Sequence, residues 1–151
     1  MNILIIEDDP NKLLQLTDCV RGLVVGADIV TTKSYQSGLR EAVLRVPDVI
    51  VLDMSMPTYD VTPVERGGKI RPFAGREILH QLKRRSVHTR VVVVTQFERF
   101  GDGSDVMTLD ALGTSLREEF ADQYLGTVFY QPGHDEWREA LRCVFTGLLG
   151  R

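Results

Sequence analysis

Near its start the chain reads Ile3-Leu4-Ile5-Ile6-Glu7-Asp8-Asp9, four large aliphatic residues followed at once by three acids. Two further aliphatic runs are Val49-Ile50-Val51-Leu52 and Val91-Val92-Val93-Val94. Uninterrupted runs of this kind predict strands that are covered on both faces, which is typical of a parallel sheet between layers of helices. Two weaker strand candidates are Ala27 to Thr32 and Gly126 to Tyr130.

Helical patterns separate these strands. The first begins after Asp9-Pro10, because aspartate caps a helix well and proline suits its first position. Four more follow along the chain: Tyr35 to the stop at Pro47, Ile78 to Leu82, Leu109 to Phe120, and Trp137 to Leu148. Five successive β-then-α units predict an α/β fold, a doubly wound parallel sheet of five strands with right-handed crossovers.

The size and composition predict a single domain over residues 1–151. With 43% hydrophobic and 26% charged residues, the chain has an average globular composition, which excludes disordered and collagen-like proteins. The formal net charge of −3 gives no general attraction to nucleic acid or to an anionic membrane. The sequence contains neither a signal peptide nor an apolar segment that could span a bilayer, so we expect a cytoplasmic protein.

Two connections are unusually long for a compact domain, residues 57–74 after the third strand and residues 96–106 after the fourth. In the first, residues 61–72 predict a short β-ribbon with Gly67-Gly68 at its turn. The second contains Phe97, Phe100 and a glycine-rich segment, and we interpret it as a mobile surface loop or a contact for a partner.

Acidic residues come directly off the carboxyl ends of two strands. Glu7, Asp8 and Asp9 follow the first strand, and Asp53 follows the third. In an open α/β sheet the ligand crevice lies beyond the carboxyl ends of the strands, and with strand order 2-1-3-4-5 both groups of acids meet there. Carboxylates that repel one another require a cation, and a hard ion such as Mg²⁺ suits their oxygens. We therefore expect a Mg²⁺ site at which an aspartate can attack a phosphoryl group.

A purely structural interpretation competes with this one. In it, Asp8 and Asp9 cap the first helix and Asp53 lies in a turn. Asp9 alone is sufficient for the cap, however, and this leaves Asp8 and Asp53 without a role. The metal site is the interpretation that gives each acid a function.

Three segments, taken in order, resemble the receiver domain of two-component response regulators: the run from Ile3 to Asp9, then Asp53-Met54-Ser55-Met56-Pro57, then Val94-Thr95. The resemblance covers nearly the whole chain, and it is the combination of the acidic doublet with Asp-x-x-Met-Pro that makes it specific. It implies the flavodoxin-like receiver fold with long insertions after the third and fourth strands.

The resemblance also implies a role for each matching residue. Asp53 would accept a phosphoryl group from a histidine kinase, a phosphotransfer protein or a small phosphodonor. Asp8, Asp53 and the backbone carbonyl of Ser55 would ligate Mg²⁺, and Glu7 would act through a metal-bound water. Thr95 would donate its hydroxyl to the phosphoryl group and transmit the change to the surrounding loop.

Two positions depart from the family pattern. The family has a lysine before a proline at the end of the fifth strand, where this chain has Gln131, which can donate a hydrogen bond but carries no charge. Charge-assisted bonds to phosphate are about twice as strong as neutral ones, so phosphorylation is weakened or lost unless another cation takes this place. Arg66, Lys69 and Arg71 of the first long loop are candidates, although charges in such a loop are usually only solvated.

The second departure is at the position where the family has an aromatic switch residue, which is Val128 in this chain. We therefore do not expect the usual coupling of threonine to an aromatic ring.

We therefore expect a stand-alone receiver, not an enzyme, that is phosphorylated at Asp53 with Mg²⁺ and regulates a protein effector. The alternative is a pseudo-receiver, an interaction module that works without phosphorylation. A Mg²⁺-dependent phosphohydrolase fits less well, because Ser55 stands where such enzymes have a second acid. A dinucleotide-binding oxidoreductase lacks its glycine motif after the first strand. We expect neither nucleic acid nor a membrane as a partner, and a homodimer is left open.

Overall fold

The computed structural model describes residues 1–64, 68–101, 103 and 106–150. In chain order its helices and strands are β1 (Asn2–Ile6), α1 (Pro10–Leu23), β2 (Asp28–Thr32), α2 (Tyr35–Arg45), β3 (Val49–Leu52), β4 (Met56–Pro57), β5 (Ile70–Arg71), α3 (Ala74–Arg84), β6 (Arg90–Thr95), β7 (Arg99–Phe100), β8 (Met107–Thr108), α4 (Leu109–Glu119), β9 (Tyr124–Phe129) and α5 (Glu136–Leu149).

Five of the strands form one parallel sheet in the order β2-β1-β3-β6-β9. This is the order 2-1-3-4-5 that the sequence predicts, and the α/β fold is confirmed. Strand β1 pairs with both β2 and β3, so the order reverses beside it and a crevice opens at the carboxyl ends of β1 and β3.

Each face of the sheet carries its own core, because alternate residues of a strand point to opposite faces. Ile3 and Ile5 pack with the apolar faces of α1 and α5. Leu4 and Ile6 pack instead with α2, α3 and α4. Glu7 continues the alternation of Ile5, so the first acid after β1 turns toward the α1 side of the sheet.

Local sequence sets where the first helix begins. The carboxylate of Asp9 accepts a hydrogen bond from the backbone N–H of Asn11 at 3.2 Å, and Pro10 is the first helical residue. This arrangement satisfies one of the otherwise free N–H groups of the first turn. Asp9 is therefore the helix cap that the sequence indicates.

The long connection at residues 57–74 contains a two-stranded ribbon, but its first strand lies upstream of the predicted segment. Strand β4 pairs with β5 in antiparallel fashion, Met56 opposite Arg71 and Pro57 opposite Ile70. At the predicted turn Gly68 has φ of +70°, which glycine adopts readily, whereas Gly67 lies outside the described residues.

The second long connection is also a ribbon, in which β7 pairs with β8. Its Phe100 is only 2% exposed and joins the core beneath α3 and α4. The Phe100 ring lies 6.2 Å from that of Phe73, which belongs to the first long connection. The interpretation of residues 96–106 as a surface loop is wrong at this residue, because the burial of a large apolar ring favours the core.

Both cysteines, Cys19 and Cys143, are free thiols. Within the described ranges no helix has the length and apolar character that crossing a bilayer requires.

The start of α3 approaches the end of β3 so closely that only glycine fits there. The N–H of Gly75 donates to the carbonyl of Met54 at 2.9 Å. A Cβ on Gly75 would lie 2.5 Å from the carbonyl oxygen of Asp53, which is a backbone atom and cannot move alone. This close approach brings the amino end of α3 to the strand end that carries Asp53.

We expect Gly75→Ala to lower the free energy of unfolding by about 1–3 kcal/mol, since the added methyl group overpacks this contact. Urea denaturation measures the change. Gly22→Ala is the matched control: Gly22 is exposed on α1 with nothing within 4 Å of the added atom. It should raise the stability by up to about 1 kcal/mol, the helix preference of alanine over glycine. A Gly75→Ala variant as stable as the wild type would contradict the close approach.

Candidate functional site

Three carboxylates converge at the carboxyl edge of the sheet. Glu7, Asp8 and Asp53 each place a carboxylate oxygen within 4.8 Å of the other two. Glu7 is 1% exposed and Asp53 is 4% exposed, while Asp8 is partly buried. Backbone hydrogen bonds fix two of these positions, because the N–H of Glu7 donates to β2 and the N–H of Asp53 donates to the carbonyl of Ile6, both at 3.0 Å.

The two oxygens of Asp53 have different surroundings. Oδ1 accepts a hydrogen bond from the backbone N–H of Met54 at 2.7 Å. Within the described ranges, Oδ2 accepts no hydrogen bond. One oxygen is thus held in place by the backbone, and the other is available to a ligand or a reacting group.

A lysine that the sequence analysis did not single out lies inside this cluster. Lys12, the third residue of α1, is fully buried. Its Nζ lies 2.5 Å from Oε1 of Glu7, 3.3 Å from Oδ1 of Asp53 and 2.8 Å from the backbone carbonyl oxygen of Val94. The contact with Val94 is a hydrogen bond, and the contacts with Glu7 and Asp53 are ion pairs, so the ammonium reaches the ends of three different strands.

A sequence signal for this lysine exists. Lys12, Leu16 and Val20 are spaced by four, and they are the buried residues of α1. A lysine in line with the core-facing residues of an amphipathic helix is unusual, because lysine is almost never fully buried unless it is paired. The position of Lys12 in this apolar row, next to three acids, is the feature that indicates a buried ion pair.

The cations of the first long loop lie elsewhere. Nη1 of Arg71 pairs with Glu77 at 2.5 Å, and its guanidinium stacks over the ring of Tyr35 at 4.4 Å. Lys69 is exposed, and Arg66 lies outside the described residues. Arg71 and Lys69 thus behave as charges of a solvated loop, which is the interpretation that the sequence favours, and the ammonium among the carboxylates belongs to Lys12.

The remaining sequence candidates occupy different environments. Thr95 is completely buried at the end of β6, and its Oγ1 accepts a hydrogen bond from the N–H of Phe97 at 3.2 Å. The hydroxyl of Ser55 donates to the carbonyl of Pro72 at 3.1 Å. Gln131, at the family's lysine position, is exposed, and Val128 is 3% exposed in the core beside α1 and α5.

Burial of like charges has an electrostatic cost, which is visible in the acids. Burial and, next, the charge of Asp53 raise the pKa of Glu7 from 4.5 to about 9, although Lys12 acts in the opposite direction. The same two causes raise the pKa of Asp8. If all three acids were ionised, three carboxylates beside one ammonium would leave the cluster short of positive charge, and a further cation would relieve this imbalance.

The raised pKa of Glu7 predicts the pH dependence of stability in the absence of divalent cations. Between pH 4.5 and 9 the folded chain binds a proton at Glu7 that the unfolded chain has released. The free energy of unfolding therefore falls as pH rises through this range, by at most about 1.4 kcal/mol per pH unit for one such group.

We expect Glu7→Gln to flatten this fall and to stabilise the chain most at pH 8, because the amide carries no charge at any pH. Urea denaturation in EDTA at pH 5, 6.5 and 8 measures the slope. Glu118→Gln, at an exposed position of α4, serves as the control and should keep the wild-type slope. A Glu7→Gln variant with an unchanged slope would show that Glu7 is already ionised in the folded chain.

Comparison with known proteins identifies the family. The family model of the response regulator receiver domain matches residues 3–118. A protein of Sinorhizobium fredii, "Uncharacterized protein y4jR", is 34% identical over 94% of this chain and 95% of its own. The "Detocs response regulatory protein DtcB" of Enterobacter cloacae is 30% identical over 98% of this chain and all of its own.

A solved receiver structure has a similar fold. The BeF3-activated DrrB receiver domain superimposes with a TM-score of 0.63 at 21% identity, over 99% of this chain and 97% of that one. At this identity the likeness concerns the fold, and the family follows from the sequence match over residues 3–118. The chain therefore belongs to the response regulator receiver domains of two-component signalling.

Proposed function

We propose that Asp53 is the phosphoacceptor of a two-component or phosphorelay pathway. A histidine kinase or phosphotransfer protein supplies the phosphoryl group, and the phosphorylated chain regulates a protein effector. The chain acts as a switch and not as an enzyme. The observation that carries this proposal is the buried Asp53, set among further carboxylates at the carboxyl edge of the sheet with one oxygen free of hydrogen bonds in the described chain.

The surroundings of Asp53 favour attack through Oδ2. Oδ1 is held by the N–H of Met54 and by Lys12, so Oδ2 is the oxygen that is left to form the bond to phosphorus. The bond between phosphorus and the donor atom breaks, a P–N bond in a phosphohistidine and a P–O bond in acetyl phosphate, and its electron pair stays with the leaving group. With acetyl phosphate the leaving group is acetate, so one carboxylate is exchanged for another and no proton has to move.

The donor set suits Mg²⁺, which is bound by one or two carboxylates together with waters and phosphate oxygens. In this proposal Asp8, Asp53 and the backbone carbonyl of Ser55 hold the ion, and Glu7 acts through a bound water. When bound, the ion offsets the negative charge that the phosphoryl group brings to the cluster. The raised pKa values of Glu7 and Asp8 support this, because they report a site short of positive charge.

Thr95 links the phosphoryl group to the second ribbon. Its hydroxyl oxygen accepts the N–H of Phe97, and the Phe97 ring packs against Phe100 at 6.4 Å. In this proposal the hydroxyl donates to a phosphoryl oxygen once Asp53 is modified. A hydrogen bond that exists only in the phosphorylated chain biases the position of the segment that begins at Phe97.

The pseudo-receiver is the less favoured function. Gln131 and Val128 are the departures that suggest it, but neither lies among the carboxylates of the site. A module that only binds a partner has no need of three converging acids, whose mutual burial is unfavourable. The proposed pathway is cytoplasmic and requires neither nucleic acid, nor a membrane, nor a second copy of the chain.

Intact-protein mass spectrometry tests the phosphoacceptor. After incubation with acetyl phosphate and Mg²⁺ we expect a gain of one phosphate group, which is absent in Asp53→Asn. The control Asp18→Asn, at an exposed position of α1, should keep the gain. EDTA should abolish it in the wild type, because the carboxylates would then repel the donor.

Circular dichroism of each variant verifies that it is folded. A folded wild type that gains no mass with Mg²⁺ would overturn the proposed phosphorylation. A gain that persists in Asp53→Asn would move the acceptor to another residue.

A further inference from the structure

The charge that the family pattern places at the end of the last strand is missing from this chain at that position. Gln131 follows the buried Tyr130, but its own side chain is exposed and makes no hydrogen bond to any residue that the structure describes. Gln131 therefore supplies no positive charge to a phosphoryl group on Asp53. A transferred phosphoryl group carries negative charge on its peripheral oxygens, and a preorganised positive charge is what stabilises it.

The ammonium of Lys12 reaches the same place from the opposite direction. It extends from the first turn of α1 and contacts the ends of β1, β3 and β6 through Glu7, Asp53 and Val94. It also lies 5.7 Å from the ring centroid of Tyr130, the residue before Gln131. The Lys12 ammonium thus lies directly beside the carboxylate of Asp53 and beside the strand end at which the family pattern has its lysine.

The three contacts of this ammonium are unequal. The contacts with Glu7 and with the Val94 carbonyl are 2.5 and 2.8 Å long, whereas the contact with Asp53 Oδ1 is 3.3 Å. The first two hold the ammonium in place, and the longest is the one that is most easily exchanged. An oxygen of a phosphoryl group on Asp53 could take over this contact without any movement of the helix.

We propose that Lys12 is a catalytic residue that contacts the phosphoryl group on Asp53. In this chain α1 would supply the positive charge that, in the family pattern, comes from a lysine at the end of the last strand. This inference rests on the proposed phosphorylation of Asp53. Transfer leaves the Lys12 contacts with Glu7 and Val94 unchanged. The ion pair of Lys12 with Oδ1 of Asp53 gives way to a charge-assisted hydrogen bond with an oxygen of the new phosphoryl group, which carries a larger negative charge than the carboxylate did.

A role in folding alone does not account for this placement. Replacement of a buried ion pair by apolar residues is often neutral or stabilising, so such a pair is weak evidence for a contribution to stability. The row Lys12, Leu16 and Val20 would also be filled by an aliphatic residue at its first position. What lysine adds there is a fixed positive charge 3.3 Å from Oδ1 of the acceptor Asp53.

The test measures the phosphorylation rate with acetyl phosphate and Mg²⁺ by intact mass in four variants. We expect Lys12→Gln to slow the reaction by about tenfold or more, the loss of one charge-assisted hydrogen bond. Gln131→Lys alone should change the rate by less than about twofold, because the site already holds an ammonium. The double variant Lys12→Gln with Gln131→Lys should recover most of the rate. The control Arg21→Gln, in the exposed last turn of α1, should react as the wild type does.

Magnesium affinity separates catalysis from structural damage. Removal of a positive charge next to the carboxylates should tighten Mg²⁺ binding by about threefold or more, since like charges repel. A variant with a damaged site would lose both Mg²⁺ affinity and phosphorylation. Lys12→Gln should instead bind Mg²⁺ more tightly and react more slowly, with an unchanged circular dichroism spectrum.

The outcomes distinguish this inference from the proposed function. A folded Lys12→Gln that is phosphorylated at the wild-type rate would overturn the role of Lys12 and leave Asp53 as acceptor. A Gln131→Lys variant that is about tenfold faster than the wild type would also overturn it, and this variant does not depend on a substitution in the core. A wild type that gains no phosphate would overturn both.

Discussion

One ammonium group between two buried carboxylates is the interaction on which the carboxyl edge of this sheet depends. Glu7 and Asp53 end neighbouring strands, and the pairing of β1 with β3 brings them together whatever their charges. Two carboxylates with exposures of 1% and 4% repel each other strongly in a medium of low polarity. Lys12 makes this arrangement tolerable, because its ammonium contacts Glu7, Asp53 and the carbonyl of Val94 at once.

The single ammonium does not balance the charges that the acids at this edge can carry, and this deficit of positive charge favours the binding of a further cation. Two carboxylates share one ammonium, and the partly buried Asp8 adds a third negative charge. Burial and the charge of Asp53 raise the pKa of both Glu7 and Asp8, so folding shifts both acids toward their neutral forms. A bound divalent cation would favour the ionised acids instead. The folded arrangement of acids at this edge therefore has an affinity for positive charge.

The fold was predictable because each of its determinants is local. Aliphatic runs such as Val91 to Val94 specify strands covered on both faces, and Asp9-Pro10 specifies the start of α1. The meeting of Glu7 with Asp53 follows from strand order alone.

Lys12 was not predicted, because single-residue reasoning assigns a lysine in a helix to the solvated face. Proximity in sequence favours the cations of the loop that follows Asp53, whereas Lys12 is close to Asp53 only in space. The burial of Phe100 was missed for a similar reason, since its glycine-rich surroundings indicate a loop and the contact with Phe73 is long-range.

The contact between Phe73 and Phe100 has a consequence for the two insertions as a pair. One insertion precedes α3 and the other follows β6, yet their aromatic rings pack on each other in the same core. Neither can be shortened or exchanged independently, because loss of one ring uncovers the apolar face of the other. For chimeras between this chain and other receiver domains, the natural unit of exchange is therefore both ribbons together with the amino end of α3, which Gly75 anchors to the strand that carries Asp53.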